Sequence, residues 1–341
     1  MKNLFIGIDF SKEKVSVSII RADGLSETAP RAYSEFQSSL QGYRQLLRWV
    51  ERNADGLDPS AWLFCGESTG DCGRPLSNFL YGRGYDLWIE NPGSIRDASG
   101  IRRLKSDRAD SSMIAEYAMR HHDRAVLYEP PGESLCQLRE LFLYRQMLVR
   151  HRRSFQVRTD RKRRFMEKSP ARAMIARSGR HIVSELNREV EKTDRRIAGL
   201  IDSDEGLREV FAIVTSVPGM GTQNAVCLMA YTDNFRRFGH DPRRICCYYG
   251  IAPFGRDSGT SVHSDPHVHC MANRQIKAML TQAALAATRF NPLIARYYAR
   301  LLERGKKKQV ALNNVKNKLI HIVTAMVRDR RMFSLEYHMS A

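Results

Sequence analysis

The alternation of hydrophobic and polar positions at the start of the chain predicts a β-hairpin. Residues 4–10, LFIGIDF, are almost continuously apolar and are typical of a buried strand, whereas residues 14–21, KVSVSIIR, alternate. The three residues between these runs suit a tight connection. Two later runs, WLFCGES at 62–68 and YDLWIEN at 85–91, predict two further strands.

Helical periodicity lies between and after these strands. A pattern near 40–53 places five apolar residues on one helix face: Leu40, Tyr43, Leu46, Leu47 and Val50. A second helix is predicted to begin near Arg74. A hairpin followed by strands that alternate with helices indicates an α/β sandwich with a mixed sheet.

From about residue 133 the pattern becomes that of two long helices. Leucines recur at helical spacing in the first, and apolar residues between 182 and 201 recur near heptad spacing in the second, which predicts an antiparallel hairpin or a coiled-coil arm. Between 145 and 180 there are 13 Lys and Arg residues against 2 acidic ones. This basic segment is either a solvated face with a linker or, as we favour, a surface for a phosphate backbone.

A third region begins near residue 206. It opens with SVPGMG at 216–221, a turn between apolar helices that either binds a phosphate, as in helix–hairpin–helix proteins, or is a plain interhelical turn. Residues 240–280 are rich in loop-forming residues, and the last helices carry an apolar face. We therefore predict three parts: an α/β domain at 1–130, a basic coiled-coil segment at 131–205 and a mostly helical domain at 206–341.

The charge balance favours a polyanionic partner. Lys and Arg number 55 against 37 Asp and Glu, a net charge of +18. The seven cysteines are odd in number and form no CxxC pair, which argues against a disulfide framework or a zinc ribbon. With no signal-peptide pattern and no apolar run of membrane-spanning length, we expect a cytoplasmic protein that meets nucleic acid.

Four acidic residues stand out in this basic chain. Asp9 and Glu67 end predicted strands, and Asp107 and Asp110 share one face at the start of a helix. If the four carboxylates converge, they repel each other, and a divalent cation such as Mg²⁺ removes that conflict. Each has a structural alternative: Asp107 as a helix N-cap, Asp9 as a turn cap and Glu67 as the partner of an arginine.

Six motifs in order resemble the DEDD insertion-sequence transposases, which include pilin-gene invertases and bridge-RNA-guided recombinases. They are GIDFSK, GESTG, NPGSIRDASGIRRLKSDRADS, SVPGMG, YYGIAPFGRDSG and RGKKKQVALNNVKNKLIHIV. The resemblance implies an RNase H-like (RuvC-like) catalytic domain, a coiled-coil segment and a helical transposase domain. It also implies a catalytic tetrad that binds two Mg²⁺ ions and consists of Asp9, Glu67, Asp107 and Asp110.

The resemblance further implies a serine nucleophile and an RNA guide, as in a serine recombinase. The family's Gly-x-Ala-Pro…Ser-Gly motif matches GIAPFGRDSG, so Ser258 corresponds to the serine, with Ser261 as the nearest competitor. The serine would form a covalent phosphoserine link with DNA, and a structured non-coding RNA would pair with donor and target DNA. Where the family has a Lys-x-Gly-Asn stretch, this chain has Asn273 and Arg274 in HCMANRQIK.

We expect the chain to assemble as a dimer or tetramer. We also expect nucleic acid to contact a set of basic residues and glycines. The contact residues are Arg96, Arg102, Arg103, Lys105, Arg152, Arg153, Arg161, Lys162, Arg163, Arg164, Gly219, Gly221, Arg274, Lys306, Lys307 and Lys308. Histidines at 263, 267 and 269 beside Cys270 do not have the spacing of a closed zinc site, so we interpret them as loop or phosphate contacts.

Two other functions compete with recombination. In a metal-dependent nuclease or Holliday-junction resolvase, water does the cutting and Ser258 is structural. In a non-enzymatic nucleic-acid organiser, the acids are helix or turn caps and the basic faces alone act.

Overall fold

The structure, a computed structural model, describes residues 2–22, 32–68, 70, 72–98, 106–159, 169–258, 262–268 and 274–335. The chain divides into two compact units, residues 1–130 (the N-terminal unit) and 131–341 (the C-terminal unit). None of the helices in these described ranges is long and apolar enough to span a bilayer.

The described part of the N-terminal unit consists of a sheet with helices on both faces. Its strands are Leu4–Phe10 (β1), Lys14–Arg21 (β2), Ala32–Gln37 (β3), Trp62–Glu67 (β4) and Leu87–Glu90 (β5). Its α-helices are Leu40–Asn53 (α1), Arg74–Tyr81 (α2), Pro92–Ala98 (α3) and Asp107–His121 (α4).

The sheet is mixed, and its strand order is β3-β2-β1-β4-β5. β2 pairs antiparallel with both β1 and β3, whereas β4 pairs parallel with β1 and with β5. The predicted hairpin of β1 and β2 is confirmed, with Ser11 closing the turn through its backbone N–H to the Lys14 carbonyl at 3.2 Å. Because β1 and β4 are parallel neighbours, their carboxyl ends meet at one edge of the sheet.

The two faces of the sheet bury different helices. Leu4, Ile6 and Ile8 of β1 pack in a core with residues of α1 and α2. Phe5 of β1, together with residues of β4 and β5, packs instead with Ile114 and Ala118 of α4. Alternate residues of a strand point to opposite faces, so the odd-numbered residues of β1 face α4.

Gly7 allows α4 to lie directly on β1. A Cβ atom built on Gly7 would lie 2.2 Å from the Ser111 backbone oxygen and 2.4 Å from the Ala115 nitrogen. Any side chain here would therefore push α4 off the sheet. Next to this contact, the buried hydroxyls of Ser18 and Ser111 are 2.8 Å apart and satisfy each other, so the serine that follows Asp110 is accommodated at the interface.

The described part of the C-terminal unit is mostly helical. Its α-helices are Glu133–Thr159 (α5), Pro170–Ser203 (α6), Glu205–Ser216 (α7), Thr222–Thr232 (α8), Pro242–Tyr248 (α9), Arg274–Phe290 (α10), Pro292–Glu303 (α11) and Lys308–Arg328 (α12). Two strands, Pro253–Ser258 (β6) and Val262–Val268 (β7), form an antiparallel pair.

The two long helices α5 and α6 are confirmed, and they pack along each other. Arg145 of α5 binds both carboxylate oxygens of Asp194 in α6, at 2.5 and 3.1 Å. Phe142 of α5 and Ile197 of α6 belong to one core that also contains residues of α8, α10 and α12. The coiled-coil supercoil and the domain bounds at 130/131 and 205/206 stay predictions.

The SVPGMG turn connects α7 and α8, as the pattern predicts. Gly219 has φ of +102°, and a Cβ atom there would lie 2.6 Å from the Ala287 Cβ atom in α10. The turn therefore requires glycine for its backbone conformation and for the close approach of α10. Whether it also acts as a helix–hairpin–helix phosphate site stays a prediction.

Several elements differ from the expectations drawn from the sequence. Neither β3, whose residues are only half-buried or exposed, nor the short helix α3 is evident in the periodicity. The stretch 240–280, expected to be mainly loop, contains α9, the β6–β7 hairpin and the start of α10. Short polar strands pair through their backbones, so they carry little of the hydrophobic alternation that reveals longer ones.

The fold-class prediction is confirmed at the coarser level. The N-terminal unit is an α/β domain with a mixed sheet and helices on both faces, and the described C-terminal unit is mostly helical. The RNase H-like class stays a prediction.

Candidate active site

Asp9 and Glu67 lie side by side at the carboxyl edge of the sheet. The parallel register pairs Ile8 of β1 with Gly66 of β4, so Asp9 and Glu67 are the next residues along the two strands. Both are half-buried, and both lie at odd-numbered positions, on the face that packs against α4.

The third and fourth acids reach this edge from the first turn of α4. The cap of α4 is Ser106, whose hydroxyl accepts a hydrogen bond from the Ala109 N–H at 3.2 Å. The alternative interpretation of Asp107 as the N-cap is therefore wrong: Asp107 is the first helical residue, and Asp110 follows one turn later. Since Gly7 lets α4 rest on β1, its first turn lies beside the end of that strand.

The four acids form one electrostatic neighbourhood. Burial, first of all, raises the pKa of Asp9 from 3.8 to about 6. The negative charges of Asp110, Asp107 and Glu67, in that order, add to this rise in pKa, and Lys14 opposes it. The charges of carboxylates from one strand and one helix therefore act on Asp9 at the end of the neighbouring strand.

Glu67 shows the same effect with a basic neighbour. Burial and then the charge of Asp110 raise the pKa of Glu67, whereas the charge of Arg96 lowers it. Arg96, on α3, keeps 66% of its side chain exposed. Arg96 therefore influences Glu67 from the surface without neutralising the excess of acid.

The donor chemistry of this site fits a divalent cation. Carboxylate oxygens are the ligands that Mg²⁺ prefers, and the mutual repulsion of these acids is the conflict that such a cation relieves. Within the described residues, however, no group of three or more His, Cys, Asp or Glu side chains lies close enough to hold one metal ion. The carboxylates are neighbours in an open arrangement.

Lys14 forms an ion pair with one of the four acids. Its amine binds Asp107 at 2.9 Å and Glu35 of β3 at 3.0 Å. Tyr33 donates to the other oxygen of Glu35 at 2.5 Å, so a chain of contacts runs from β3 to the first turn of α4. Lys14 is not among the site residues expected from the sequence, although the predicted hairpin places it next to the end of β1.

The structure describes some of the residues that are predicted to contact nucleic acid, and others lie outside the described ranges. Lys306, Lys307 and Lys308 are exposed where α12 begins, which puts three positive charges at the positive end of the helix dipole. Arg153 is exposed, whereas Arg152 donates to Asn187 of α6 at 3.1 Å. Predicted contacts outside the described residues are Arg102, Arg103, Lys105, Arg161, Lys162, Arg163 and Arg164.

Ser258 is the last residue of β6 and pairs with Val262 of β7. Its side chain, like that of Arg274 at the start of α10, is outside what the structure describes, and Ser261 and Asn273 lie outside the described residues. The predicted histidines 263 and 267 belong to β7, with side chains that are likewise not described, and His269 and Cys270 lie outside the described residues. Their roles stay predictions.

Family models match both units of the chain. A DEDD transposase model of the IS110 type matches residues 6–162, and the model described as "Transposase IS116/IS110/IS902 family" matches residues 212–299. The chain belongs to the IS116/IS110/IS902 family of transposases. All four residues of the acidic tetrad lie within the first matched range, and Ser258 lies within the second.

Curated relatives agree with this family. The pilin gene-inverting protein of Moraxella bovis is 22% identical over 99% of this chain and 100% of its own length, and that of Moraxella lacunata has the same identity and coverage. A 43.6 kDa protein of insertion element IS110 from Streptomyces coelicolor is 32% identical over 34% of this chain and 28% of its own length.

A solved structure, T. thermophilus RuvC in complex with a Holliday junction substrate, covers 37% of this chain and 99% of its own. Its sequence is 11% identical and its TM-score is 0.27, which is too low to establish a shared fold.

Family membership corrects one expectation. The class name serine recombinase, which followed from the motif around Ser258, is wrong for this chain, because the matched model is that of the DEDD transposases.

Proposed function

We propose that this IS110-family chain cuts and rejoins DNA strands, using a Mg²⁺-dependent site built from four carboxylates: Asp9, Glu67, Asp107 and Asp110. The observation that carries the proposal is that Asp9 and Glu67 end two adjacent parallel strands of the mixed sheet, while the first turn of α4 holds Asp107 and Asp110 close enough to act on Asp9. Their combined negative charge supports a role for cations there.

The tetrad would hold two Mg²⁺ ions through carboxylate oxygens. When bound, the metal supplies positive charge that stabilises a transferring phosphoryl group. The protein's own contribution is to bring Asp9 and Glu67 together at adjacent strand ends and to place Asp107 and Asp110 over them from α4. The tight contact at Gly7 keeps this geometry rigid.

For the strand-exchange step we propose Ser258 as the nucleophile. Its Oγ would form a bond to the phosphorus of a DNA phosphodiester while the bond from phosphorus to one DNA oxygen breaks. The serine proton is lost to solvent, and the departing DNA oxygen takes up a proton. A hydroxyl of the partner strand then attacks the same phosphorus, which restores a phosphodiester and the free serine without ATP.

A covalent-adduct assay tests the serine step. The full-length protein, Mg²⁺, DNA and candidate RNA are incubated, denatured and separated. We expect a protein–DNA adduct that disappears in Ser258→Ala and persists in Ser261→Ala. Hydrolysed DNA ends that are unchanged in Ser258→Ala would instead identify a nuclease or resolvase in which water attacks.

DNA is the proposed substrate, and exposed basic residues support it. The lysines at 306–308 lie at the N-terminal, positive end of α12. Their charges and the helix dipole have the same sign there, so together they favour binding of an anion such as a DNA phosphate. Arg96, beside Glu67, is suited to a backbone phosphate near the acids. Arg153 and the basic segment at 160–168 add further positive charge.

We also propose a structured guide RNA and a homo-oligomer of two or four chains, acting in the cytoplasm at the nucleoid. Exchange of two duplexes requires more than one cleavage site. The α5–α6 pair, the proposed coiled-coil arm, has Tyr144 and Met147 exposed at 43% and 44% on α5, which supports an interface there. Light scattering of the DNA complex tests this, and a single chain per complex would contradict it.

A further inference from the structure

A lysine is buried in the core of the C-terminal unit. Lys316, in the middle of α12, is 7% exposed, and its helix neighbours Val315, Leu319 and Ile320 are fully buried. Lysines are almost never this buried without a partner of opposite charge. The desolvation of the Lys316 amine is therefore unfavourable for folding.

No compensating acid is seen for Lys316 in the parts of the chain where side chains are described. It forms no salt bridge and no side-chain hydrogen bond there. Burial lowers the pKa of Lys316, and the next contribution in the same direction is the positive charge of Lys277 in α10. Ile276 of α10 and Val315 of α12, the sequence neighbours of these two lysines, belong to one buried core, so the lysines lie on helices that pack together. The charge that acts on Lys316 is therefore of its own sign.

Lys316 and Lys277 lie on the helices next to the start of β6 and the end of β7. Asn313, one helical turn before Lys316, donates its side-chain N–H to the Ile251 carbonyl at 2.9 Å. β6 begins two residues later, at Pro253, and ends at Ser258. Lys277 lies in the first turn of α10, the helix that follows β7.

We propose that Lys316 and Lys277 together bind a backbone phosphate of the DNA strand that reaches the β6–β7 hairpin. A phosphate supplies the negative charge that is missing beside both lysines, and its binding would offset the desolvation of Lys316. The choice of DNA as the ligand rests on the proposed function. Neither lysine belongs to the basic residues expected from the sequence to contact nucleic acid.

A competing interpretation is that Lys316 has only a packing role. A lysine stem can cover apolar surface while the amine reaches solvent. The two interpretations differ in what removal of the charge does. If Lys316 only packs, methionine of similar length changes DNA binding little. If Lys316 binds phosphate, methionine weakens DNA binding while leaving the free protein as stable or more stable, because an unpaired buried charge is gone.

The test uses the full-length protein in the Ser258→Ala background with EDTA, so no strand cleavage is needed. The affinity for a short labelled DNA duplex is measured by fluorescence anisotropy over a range of salt concentrations, and unfolding temperature is measured without DNA. The variants are Lys316→Met and Lys277→Met. Lys318→Met is the matched control, since Lys318 is exposed on the same helix and has the same charge.

We expect Lys316→Met and Lys277→Met each to weaken DNA binding by about fivefold or more and to lower the slope of log affinity against log salt by about one. Lys316→Met keeps or raises the unfolding temperature, Lys277→Arg restores binding, and Lys318→Met stays within about twofold of the parent.

Unchanged affinity and slope in a folded Lys316→Met protein would overturn the proposal. The same anisotropy measurement with a hairpin RNA of the same length gives a second outcome. If the variants lose affinity for this RNA but not for DNA, RNA is the ligand and the proposal is overturned. If Lys316→Met does not fold, Lys277→Met decides alone, and unchanged binding there rejects the site. Failure of the covalent-adduct assay would reject the serine step and would leave these binding measurements untouched.

Discussion

The two units each contain a cluster of like charges, and the clusters have opposite signs. In the N-terminal unit, Asp9 is half-buried among three other acids. In the C-terminal unit, Lys316 is buried beside Lys277. The acids lie in an open arrangement and the half-exposed Lys14 binds one of them, whereas Lys316 lies among buried apolar residues of its own helix. We propose that the N-terminal cluster binds a cation and that the C-terminal cluster binds a phosphate.

The strongest way to break this comparison is to neutralise the acid at its centre. In Asp9→Asn, we expect DNA cleavage in Mg²⁺ to fall by about a thousandfold, because a negative ligand and its metal contact are lost. The same variant in EDTA at pH 8 should unfold about 2–4 °C higher, because repulsion among the carboxylates is relieved. Cleavage of labelled DNA and thermal unfolding measure the two effects.

Asp123→Asn is the control for this variant, since Asp123 is 67% exposed and lies beyond the end of α4. It should leave both quantities near their original values. Normal recombination by Asp9→Asn would show that the tetrad assignment is wrong.

The second prediction separates the acid site from its scaffold. Gly7→Ala places a Cβ atom against the backbone of α4, so α4 must move away from β1. We expect a loss of about 2–3 kcal/mol in the free energy of unfolding and a loss of cleavage, since Asp107 and Asp110 move with the helix. Urea unfolding measures the first effect.

Gly132→Ala serves as its control, because no atom lies within 4 Å of a Cβ atom built there. Wild-type stability and cleavage in Gly7→Ala would mean that the close contact of α4 with β1 does not position the acids.

The third prediction uses pH, and the two clusters should respond in opposite directions. The folded protein holds the Asp9 proton up to about pH 6, whereas the unfolded chain loses it near 3.8, so stability in EDTA falls as pH rises across this window. With solvent screening, this contribution is about 1–2 kcal/mol.

For Lys316 the lowered pKa means that the folded protein releases its proton before the unfolded chain does. Stability should therefore rise with pH on the approach to 10.5. Stability curves from chemical unfolding should lose the acidic limb in Asp9→Asn and the alkaline limb in Lys316→Met. Identical curves for all three proteins would contradict both assignments.

The smallest expected effect concerns Lys14. Lys14→Met removes the cation that binds Asp107 and Glu35, so Mg²⁺ meets one competitor fewer. We expect Mg²⁺ affinity, measured by calorimetry on the full chain, to rise by about two- to fivefold, since exposed ion pairs are weak. Lys12→Met, in the same hairpin, should not change it. A fall in Mg²⁺ affinity in Lys14→Met would show that Lys14 supports the open site rather than competing for it.

Much of the N-terminal unit could be predicted from periodicity. The buried strands β1 and β4 and the helix α1 carry strong patterns, and the acids at strand ends could be picked out because carboxylates are rare there. The missed strand β3 lies at the sheet edge, where two of its six residues are exposed and the others are half-buried, so it lacks an apolar pattern. Its omission also hid Glu35, the second partner of Lys14.

The C-terminal unit was harder to predict. Its long helices and the SVPGMG turn follow from local signals, but the β6–β7 hairpin is polar and was expected to be loop. Lys316 lies in a sequence, NVKNKL, that gives no sign that this lysine is buried and Lys318 is exposed. Only the packing of α12 against α10 and α9 distinguishes the two.

The amino-acid sequence by itself determined which chemical groups are present, which strands are buried and where α4 begins, because these depend on periodicity and caps within a few residues. It also carried the family resemblance that the matched models confirm. Only the tertiary structure decided that the four acids influence one another, that Lys14 binds Asp107 and that Lys316 lies in the core. Those outcomes depend on strand register and on how closely helices approach, and such contacts join residues that are far apart in the chain.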